Sequence, residues 1–122
     1  MKNAINWFEI PSTDFERATA FYNTILDAEL RVQVVDGISN AIFPYSGHAD
    51  NAIGGTVVHN PSTKPGADGA VVYLNVDGVL DAVLSRVEAA GGKVLMPRLD
   101  TQFGATAMIL DSEGNRVGLH SY

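Results

Sequence analysis

The chain contains no cysteine among its 122 residues. This absence excludes disulfide bonds, thiolate metal ligands and cysteine nucleophiles together. It is compatible with a reducing compartment, so we expect a cytoplasmic protein. The length and a hydrophobic content of 46% predict one globular domain, residues 1–122, with a core large enough to be stable without cross-links.

Basic residues and long apolar runs are also scarce. Eight Lys and Arg stand against 14 Asp and Glu, and the formal net charge of −6 works against binding to the phosphate backbone of nucleic acids. Residues 3–6 contain no apolar run of the signal-peptide type, and no later run is long enough to cross a membrane. We therefore expect no nucleic-acid or membrane partner, and a mature chain that starts at its first residues. No phosphate loop, dinucleotide fingerprint or serine–histidine–acid set is present either.

A short strand is predicted at residues 5–10, within the segment that reads WFEIPSTDFERATAFY from residue 7 to residue 22. Side chains alternate along a strand, so Ile5, Trp7 and Glu9 share one face, while Phe8 and Ile10 share the other. We expect the second face to meet the helix that follows.

That helix has both a start signal and an apolar face. Thr13 and Glu16 stand in the T-x-x-E relation of a capping box, with Thr13 as the N-cap. Apolar residues then recur at helical spacing, which predicts a face buried against a sheet. These residues are Ala18, Phe21, Tyr22, Ile25 and Leu26.

Three more strands complete a first unit, and the pattern then repeats. The first unit, residues 3–60, continues with strands at 29–35, 38–44 and 53–59, with a hairpin turn at Asp36–Gly37 and a close backbone approach or bulge at Gly54–Gly55. A linker at 60–68 is rich in Pro and Gly. The second unit, residues 68–122, begins with a strand at 70–76. A helix follows, with Asp77 as its predicted N-cap, an apolar stripe from Val79 to Val87 and a stop at Gly91–Gly92. Three strands complete the unit, at 93–96, 105–110 and 116–121. The two units align with Ile10 opposite Val76.

Two strand–helix–strand–strand–strand units predict an α+β fold. A unit of about 60 residues buries too little surface to be stable alone, whereas two units can join their sheets and cover one face with both helices. The uncovered faces then curve into a cleft. Its predicted lining consists of Trp7, Glu9, Val71, Tyr73, Asn75, Arg116, Gly118 and His120.

Glu9 and His120 are the predicted chemical pair. A carboxylate on a mostly apolar strand is costly to desolvate without a partner. Glu9 is therefore predicted to act as a general base or to accept a hydrogen bond from a ligand, with His120 as acid or orienting group. The alternative is a structural pair, or a strand end in water.

Ligand-binding residues are predicted beside this pair. Trp7, Tyr45 and Tyr73 are expected to form an aromatic wall, with Asn75 and Arg116 as polar contacts.

Other residues have plainer interpretations. Phe43 is interpreted as a packing residue and His48 as a solvated loop residue, while Arg98 is either an anion contact or a surface charge. Segment 111–115 is predicted to be a turn.

Three motifs carry a resemblance to a known family. They are IP-x-x-D-x-x-x-A-x-x-FY at 10–22, AAGGKV at 89–94 and DSEGNRVGLH at 111–120. With the repeated unit, the chain resembles the vicinal oxygen chelate superfamily, which holds glyoxalase I, extradiol dioxygenases, and fosfomycin and bleomycin resistance proteins. The resemblance implies two tandem βαβββ modules that form a curved mixed sheet around a cleft, and a homodimer.

The resemblance also places metal ligands on the first and last strands of each module. The corresponding positions here are Trp7, Gly55 or Thr56, Val71 and Gly118, none of which supplies an imidazole or carboxylate. No metal and no other cofactor is therefore expected. A displaced set of Glu9, His59 and His120 is the alternative.

Three functions follow from the resemblance. The first is a glyoxalase-like enzyme of lyase type, related to lactoylglutathione lyase, that acts on a small molecule through Glu9 and His120 without the usual metal. The second is a ligand-sequestering protein of the bleomycin resistance type. The third is a metal-dependent lyase or dioxygenase with displaced ligands.

Overall fold

The computed structural model of the protein describes residues 3–122 and places eight strands and two α-helices in them. The first module consists of β1 (Trp7–Pro11), α1 (Phe15–Leu26), β2 (Arg31–Val35), β3 (Ile38–Ile42) and β4 (Gly54–His59), with a short 3-10 helix (His48–Asp50) before β4. The second module consists of β5 (Val72–Asn75), α2 (Leu80–Val87), β6 (Lys93–Thr101), β7 (Gly104–Leu110) and β8 (Arg116–Ser121).

The modules have the same sheet topology. The strand orders are β1-β4-β3-β2 and β5-β8-β7-β6, and each module pairs its first and last strands in parallel and its other strands antiparallel. The predicted α+β fold of two βαβββ modules is confirmed. Its sheet is built as two four-stranded halves, and within residues 3–122 no strand pairing joins them.

One hydrophobic core runs through both modules. Both helices contribute to a single buried cluster, and Arg86 Nη1 on α2 donates a hydrogen bond to the Ile25 carbonyl on α1 at 3.1 Å. The largest side chains of the cluster are fully buried, and include Phe21, Tyr22, Ile25, Leu80, Ile109 and Leu119. Ile10 is buried and Phe8 packs against the cluster, so the predicted sidedness of β1 is confirmed. None of the helices in the described residues is long and apolar enough to span a membrane.

The capping-box prediction for α1 is wrong. Asp14 is the N-cap, and its side chain accepts a hydrogen bond from the Arg17 amide at 3.0 Å. The amides of Thr13 and Asp14 both donate to Glu113 Oε1, at 2.9 and 2.7 Å. In a capping box, the Glu16 side chain would accept a hydrogen bond from the Thr13 amide. Here Glu113, a carboxylate of the other module, accepts that bond instead.

The predicted cap of α2 is also wrong. Val79 occupies the N-cap position without a side-chain hydrogen bond. Asp77 Oδ1 instead accepts a hydrogen bond from the Tyr122 amide at 2.8 Å, which fastens the end of the chain to the loop before α2. Val79 is 51% exposed and therefore lies outside the buried stripe in which it was placed.

The strand boundaries differ mainly in the second module. β6 continues past Met96 to Thr101 and includes Pro97. A proline is tolerated there because β6 is the outer strand of its sheet. The hairpin turn is confirmed: Asp36 and Gly37 have φ of 51° and 78°, as a type I′ turn requires.

The buried carboxylate of Asp111, in the turn 111–115, ties the two modules together. Asp111 Oδ2 accepts hydrogen bonds from the Tyr22 hydroxyl at 2.7 Å and from Asn115 Nδ2 at 2.9 Å. Burial, reinforced by the charge of Asp111, raises the pKa of Tyr22 well above its usual value. Tyr22 therefore stays protonated and acts as a hydrogen-bond donor across the module boundary.

Candidate functional site

A cleft lies along the seam between the two sheets. β1 and β5 are outer strands of their sheets, and a cleft of about 910 Å³ opens between them. This volume is typical of a small-molecule site. Among its lining residues are Ile5, Trp7, Tyr45, Ile53, Tyr73 and Asn75. Four of the predicted ligand-binding residues are therefore brought to one cleft.

Trp7 and Tyr73 occupy equivalent places in the two modules. Strand pairing sets Trp7 beside Gly54 on β4 and Tyr73 beside Gly118 on β8. A Cβ added at Gly54 would lie 2.9 Å from Trp7 Cζ3, and one added at Gly118 would collide with the Tyr73 ring. Each ring therefore lies over a glycine, and both rings stay accessible, with 36% of Trp7 and 52% of Tyr73 exposed.

Trp7 is also part of an aromatic cluster that includes a histidine. The Trp7 and Tyr45 rings have centroids 5.8 Å apart at 71°, and the Tyr45 hydroxyl is 3.2 Å from His48 Nε2. The His48 ring centroid is 6.2 Å from that of Trp7. His48 is exposed, but it contacts the wall of the cleft, which the sequence interpretation missed. The spacing of Tyr45 and His48 in one short loop was its only signal.

A smaller, charged cavity continues the same seam. Its volume is about 200 Å³, and it shares Ala70 and Val72 with the large cleft. Its charged lining residues are Glu9, Lys64, Asp68 and Arg116. The predicted residues Glu9, in the middle of β1, and Arg116, at the start of β8, therefore line the same cavity.

Glu9 and His120 are not brought together. No hydrogen bond or salt bridge within residues 3–122 joins them, and His120 lines neither cavity. His120 Nε2 lies 2.7 Å from the Phe103 carbonyl oxygen, at the β6–β7 hairpin. A carbonyl oxygen only accepts, so Nε2 is the donor in this hydrogen bond. Neither residue's predicted chemical role is tested by this arrangement.

The remaining sequence interpretations have clear outcomes. Phe43 is a packing residue, as predicted, with its ring 5.5 Å from Phe8 and 5.2 Å from Tyr22 between centroids. Arg98 pairs with Asp81 at 3.0 Å and Asp100 at 3.1 Å. It is therefore a surface charge.

The large cleft also has lining residues outside the predicted set, among them Ile5 and Ile53. Ile5, 52% exposed, and Ile53, 38% exposed, both face it. Ile5 shares the Trp7 face of the strand by alternation, which was the signal that pointed to it.

The family follows from the match of the whole chain. Residues 4–119 match the model of the Glyoxalase/Bleomycin resistance protein/Dioxygenase superfamily. The chain belongs to this superfamily. The resemblance to the vicinal oxygen chelate group is thereby confirmed. No curated protein matches the chain.

Solved structures share the superfamily fold at low sequence identity. A glyoxalase/bleomycin resistance protein from Albidiferax ferrireducens T118 has a TM-score of 0.75 at 14% identity, covering 98% of this chain and 99% of that one. The fosfomycin resistance protein FosX from Listeria monocytogenes has a TM-score of 0.67 at 15% identity, covering 100% and 93%. A glyoxalase I variant from Zea mays has a TM-score of 0.69 at 21% identity, covering 95% of this chain and 46% of that one. These likenesses concern the fold alone.

The metal positions of the superfamily can be tested against the strand register. Strand pairing places Gly54 beside Trp7 and Tyr73 beside Gly118, whereas the sequence assigned Gly55 or Thr56 and Val71 to the metal positions. Indole, phenol and glycine offer no imidazole or carboxylate, so these positions do not suit a divalent metal.

The displaced metal set is not assembled either. His59 Nδ1 lies 3.1 Å from the Ser12 carbonyl oxygen, while His120 is bound at the far hairpin. No three His, Cys, Asp or Glu side chains in residues 3–122 are grouped to hold an ion. Within the described residues, Glu9, His59 and His120 are therefore not assembled as one ligand set.

Proposed function

We propose that this superfamily member binds a small molecule with a flat, apolar or aromatic body in the cleft between Trp7 and Tyr73. The observation that carries the proposal is the 910 Å³ cleft, which is lined by two exposed aromatic rings, one from each module. Exposed aromatic surface in a concave site is costly to leave in water, and a planar ligand between the rings would remove it from solvent. The acidic surface is compatible with an uncharged or cationic ligand.

Trp7 allows the proposal to be tested directly, because it is the only tryptophan. We expect 2-phenylethanol, an uncharged aromatic probe, to change Trp7 fluorescence saturably and to raise the melting temperature. Tyr73→Ala should weaken its binding by about 1 kcal/mol, or roughly fivefold in Kd, because one wall of the cleft is lost.

The matched control is Phe103→Ala. Phe103 is 71% exposed, and it lines neither cavity. This variant should bind the probe as the wild type does. An equal loss in both variants, or no saturable change in Trp7 fluorescence, would contradict the proposal.

Sequestration is the form of the function that the geometry supports best, since the predicted chemical pair is separated. The bound compound should then be recovered unchanged. Turnover of any cleft ligand would favour the enzymatic alternative instead. In that case Glu9→Gln and His120→Ala should each abolish conversion, and full activity in both variants would discard their predicted roles.

A further inference from the structure

The small cavity of the seam is lined by four charged residues that form no salt bridge within residues 3–122. Glu9 and Asp68 are acidic, whereas Lys64 and Arg116 are basic, and all four line about 200 Å³ of space. All four residues are exposed. No salt bridge or side-chain hydrogen bond within residues 3–122 involves any of them, although opposite charges face the same small volume. Each head group is therefore free to bind a ligand.

The side-chain amide of Asn115 joins three backbone segments around this cavity by hydrogen bonds. Asn115, 6% exposed, donates from Nδ2 to the Pro11 carbonyl at 2.8 Å and accepts at Oδ1 from the Gly66 amide at 3.1 Å. These bonds fix the end of β1 and the linker relative to the turn before β8. Asn115 is a positioning residue for the charged side chains around it.

Charge balance indicates which chemical group suits the cavity. Two carboxylates and two cations sum to zero, so a ligand with a single charge would approach two like charges as well as two opposite ones. A group with an ammonium and a carboxylate close together can meet Glu9 or Asp68 with one and Arg116 or Lys64 with the other.

The position of the cavity indicates what the rest of that ligand is. The small cavity and the aromatic cleft share Ala70 and Val72. Glu9 lies two residues from Trp7 on the same strand face, a separation of roughly 6.6 Å. One molecule of modest length therefore reaches from the aromatic rings to the charges.

We propose that the ligand of this protein carries a zwitterionic head group, bound in the cavity of Glu9, Lys64, Asp68 and Arg116, on the aromatic or apolar body that occupies the main cleft. The inference rests on the proposed function and adds the class of ligand: an aromatic amino acid or a molecule that ends like one. Arg116 binds the carboxylate by its planar guanidinium, and Glu9 accepts from the ammonium.

Four probes with the same ring separate the contributions. They are phenylalanine, with both charges, phenethylamine and 3-phenylpropionate, with one each, and 2-phenylethanol, with none. Measured by Trp7 fluorescence and calorimetry, phenylalanine should bind at least about fivefold tighter than either singly charged probe. This preference should shrink in high salt, which screens exposed charges, while 2-phenylethanol binding should not weaken.

Two variants assign the charges to residues. Arg116→Gln should remove the preference for phenylalanine over phenethylamine, and Glu9→Gln the preference over 3-phenylpropionate. Both variants should keep the wild-type circular dichroism spectrum and unfold cooperatively, which shows that they are folded. Glu88→Gln, at an exposed residue that lines neither cavity, is the control and should bind all four probes as the wild type does.

The outcomes distinguish this inference from the function on which it rests. Equal binding of all four probes to the wild type would overturn the zwitterion inference and leave the aromatic cleft standing. Unchanged preferences in both variants would overturn the assignment to this cavity. Binding of none of the probes would overturn both proposals together.

Discussion

Glu113 shows how a single side chain can join two modules. Besides capping two amides at the start of α1, its carboxylate binds Arg17 through Nε at 2.7 Å and Nη2 at 3.1 Å. Its side chain has no exposed surface. Burial acts to raise the pKa of Glu113, but the hydrogen bonds from Arg17, the Asp14 amide and its other donors outweigh burial and lower that pKa. Glu113 is therefore ionised in the folded protein at neutral pH.

The Glu113 carboxylate should make the free energy of unfolding depend on pH in the acidic range. A folded-state pKa below the unfolded value of about 4.3 gives stabilisation that is complete above that value and is lost as the pH falls through the folded pKa. Glu113→Gln should lower the free energy of unfolding at pH 7 by about 2 kcal/mol. The loss should become smaller in acid, as measured by denaturant unfolding at several pH values.

Glu16→Gln is the control for this prediction, because Glu16 lies in the first turn of the same helix without a side-chain partner among residues 3–122. It should change the unfolding midpoint little at any pH. Identical unfolding curves for Glu113→Gln and the wild type at pH 7 would show that the contacts to α1 add no stability.

At the scale of elements, the same aromatic–glycine pair recurs between the first and last strands of each module. An aromatic side chain on the first strand covers a glycine on the parallel last strand, as Trp7 covers Gly54 and Tyr73 covers Gly118. The glycine leaves room for the ring to lie against the sheet, and the ring covers backbone that has no side chain of its own. These two aromatic–glycine pairs position the aromatic walls of the cleft.

Gly54→Ala should displace the wall without unfolding the protein. The new Cβ would lie 2.8 Å from the Tyr45 ring and 2.9 Å from Trp7, so both rings have to move. Since Trp7 is partly exposed, the rings can shift at a cost of about 1 kcal/mol in the free energy of unfolding. We expect an altered Trp7 emission spectrum and weaker binding of 2-phenylethanol.

Gly66→Ala is the matched control for the emission spectrum, because a Cβ there would meet nothing within 4 Å. It should keep the wild-type emission. An unchanged spectrum in Gly54→Ala would mean that Trp7 does not lie over Gly54 in solution.

At the scale of the whole molecule, the two sheets are held together by the shared core and the turn at 111–115, not by strand pairing. At the sheet edges away from the cleft, β2 and β6 each lack a strand partner on one side among residues 3–122, and both carry exposed apolar side chains. Val34 is 64% exposed, Val32 57% and Leu99 50%. Such edges favour association with another chain.

We propose that the chain pairs as a homodimer in which the β2 edge takes part, as the family resemblance implied. Sedimentation velocity should then give twice the chain mass of 13.0 kDa. Val34→Lys should shift the protein toward the monomer, because a charge at the edge opposes association. Val79→Lys, on a surface away from the strand edges, should leave the dimer intact, and a wild-type monomer at micromolar concentration would contradict the proposal.

Local sequence patterns determined most of the fold. The alternation around Trp7, the helical stripe through Phe21 and Ile25 and the Asp36–Gly37 turn each depend on residues close in the chain. The repeat of these patterns was enough to predict two equivalent modules and the sidedness that points Trp7 and Tyr73 into the cleft. These features are local because backbone geometry fixes where neighbouring side chains point.

Only the tertiary structure decided which distant residues meet. The cap supplied by Glu113 to α1 comes from about 100 residues away, and the separation of His120 from Glu9 depends on how the two modules lie side by side. The same packing set Arg116 beside Glu9 and Lys64. Such contacts join residues far apart in the sequence, and the periodicity of the chain does not predict them. They form only when burial of the shared core brings the two modules together.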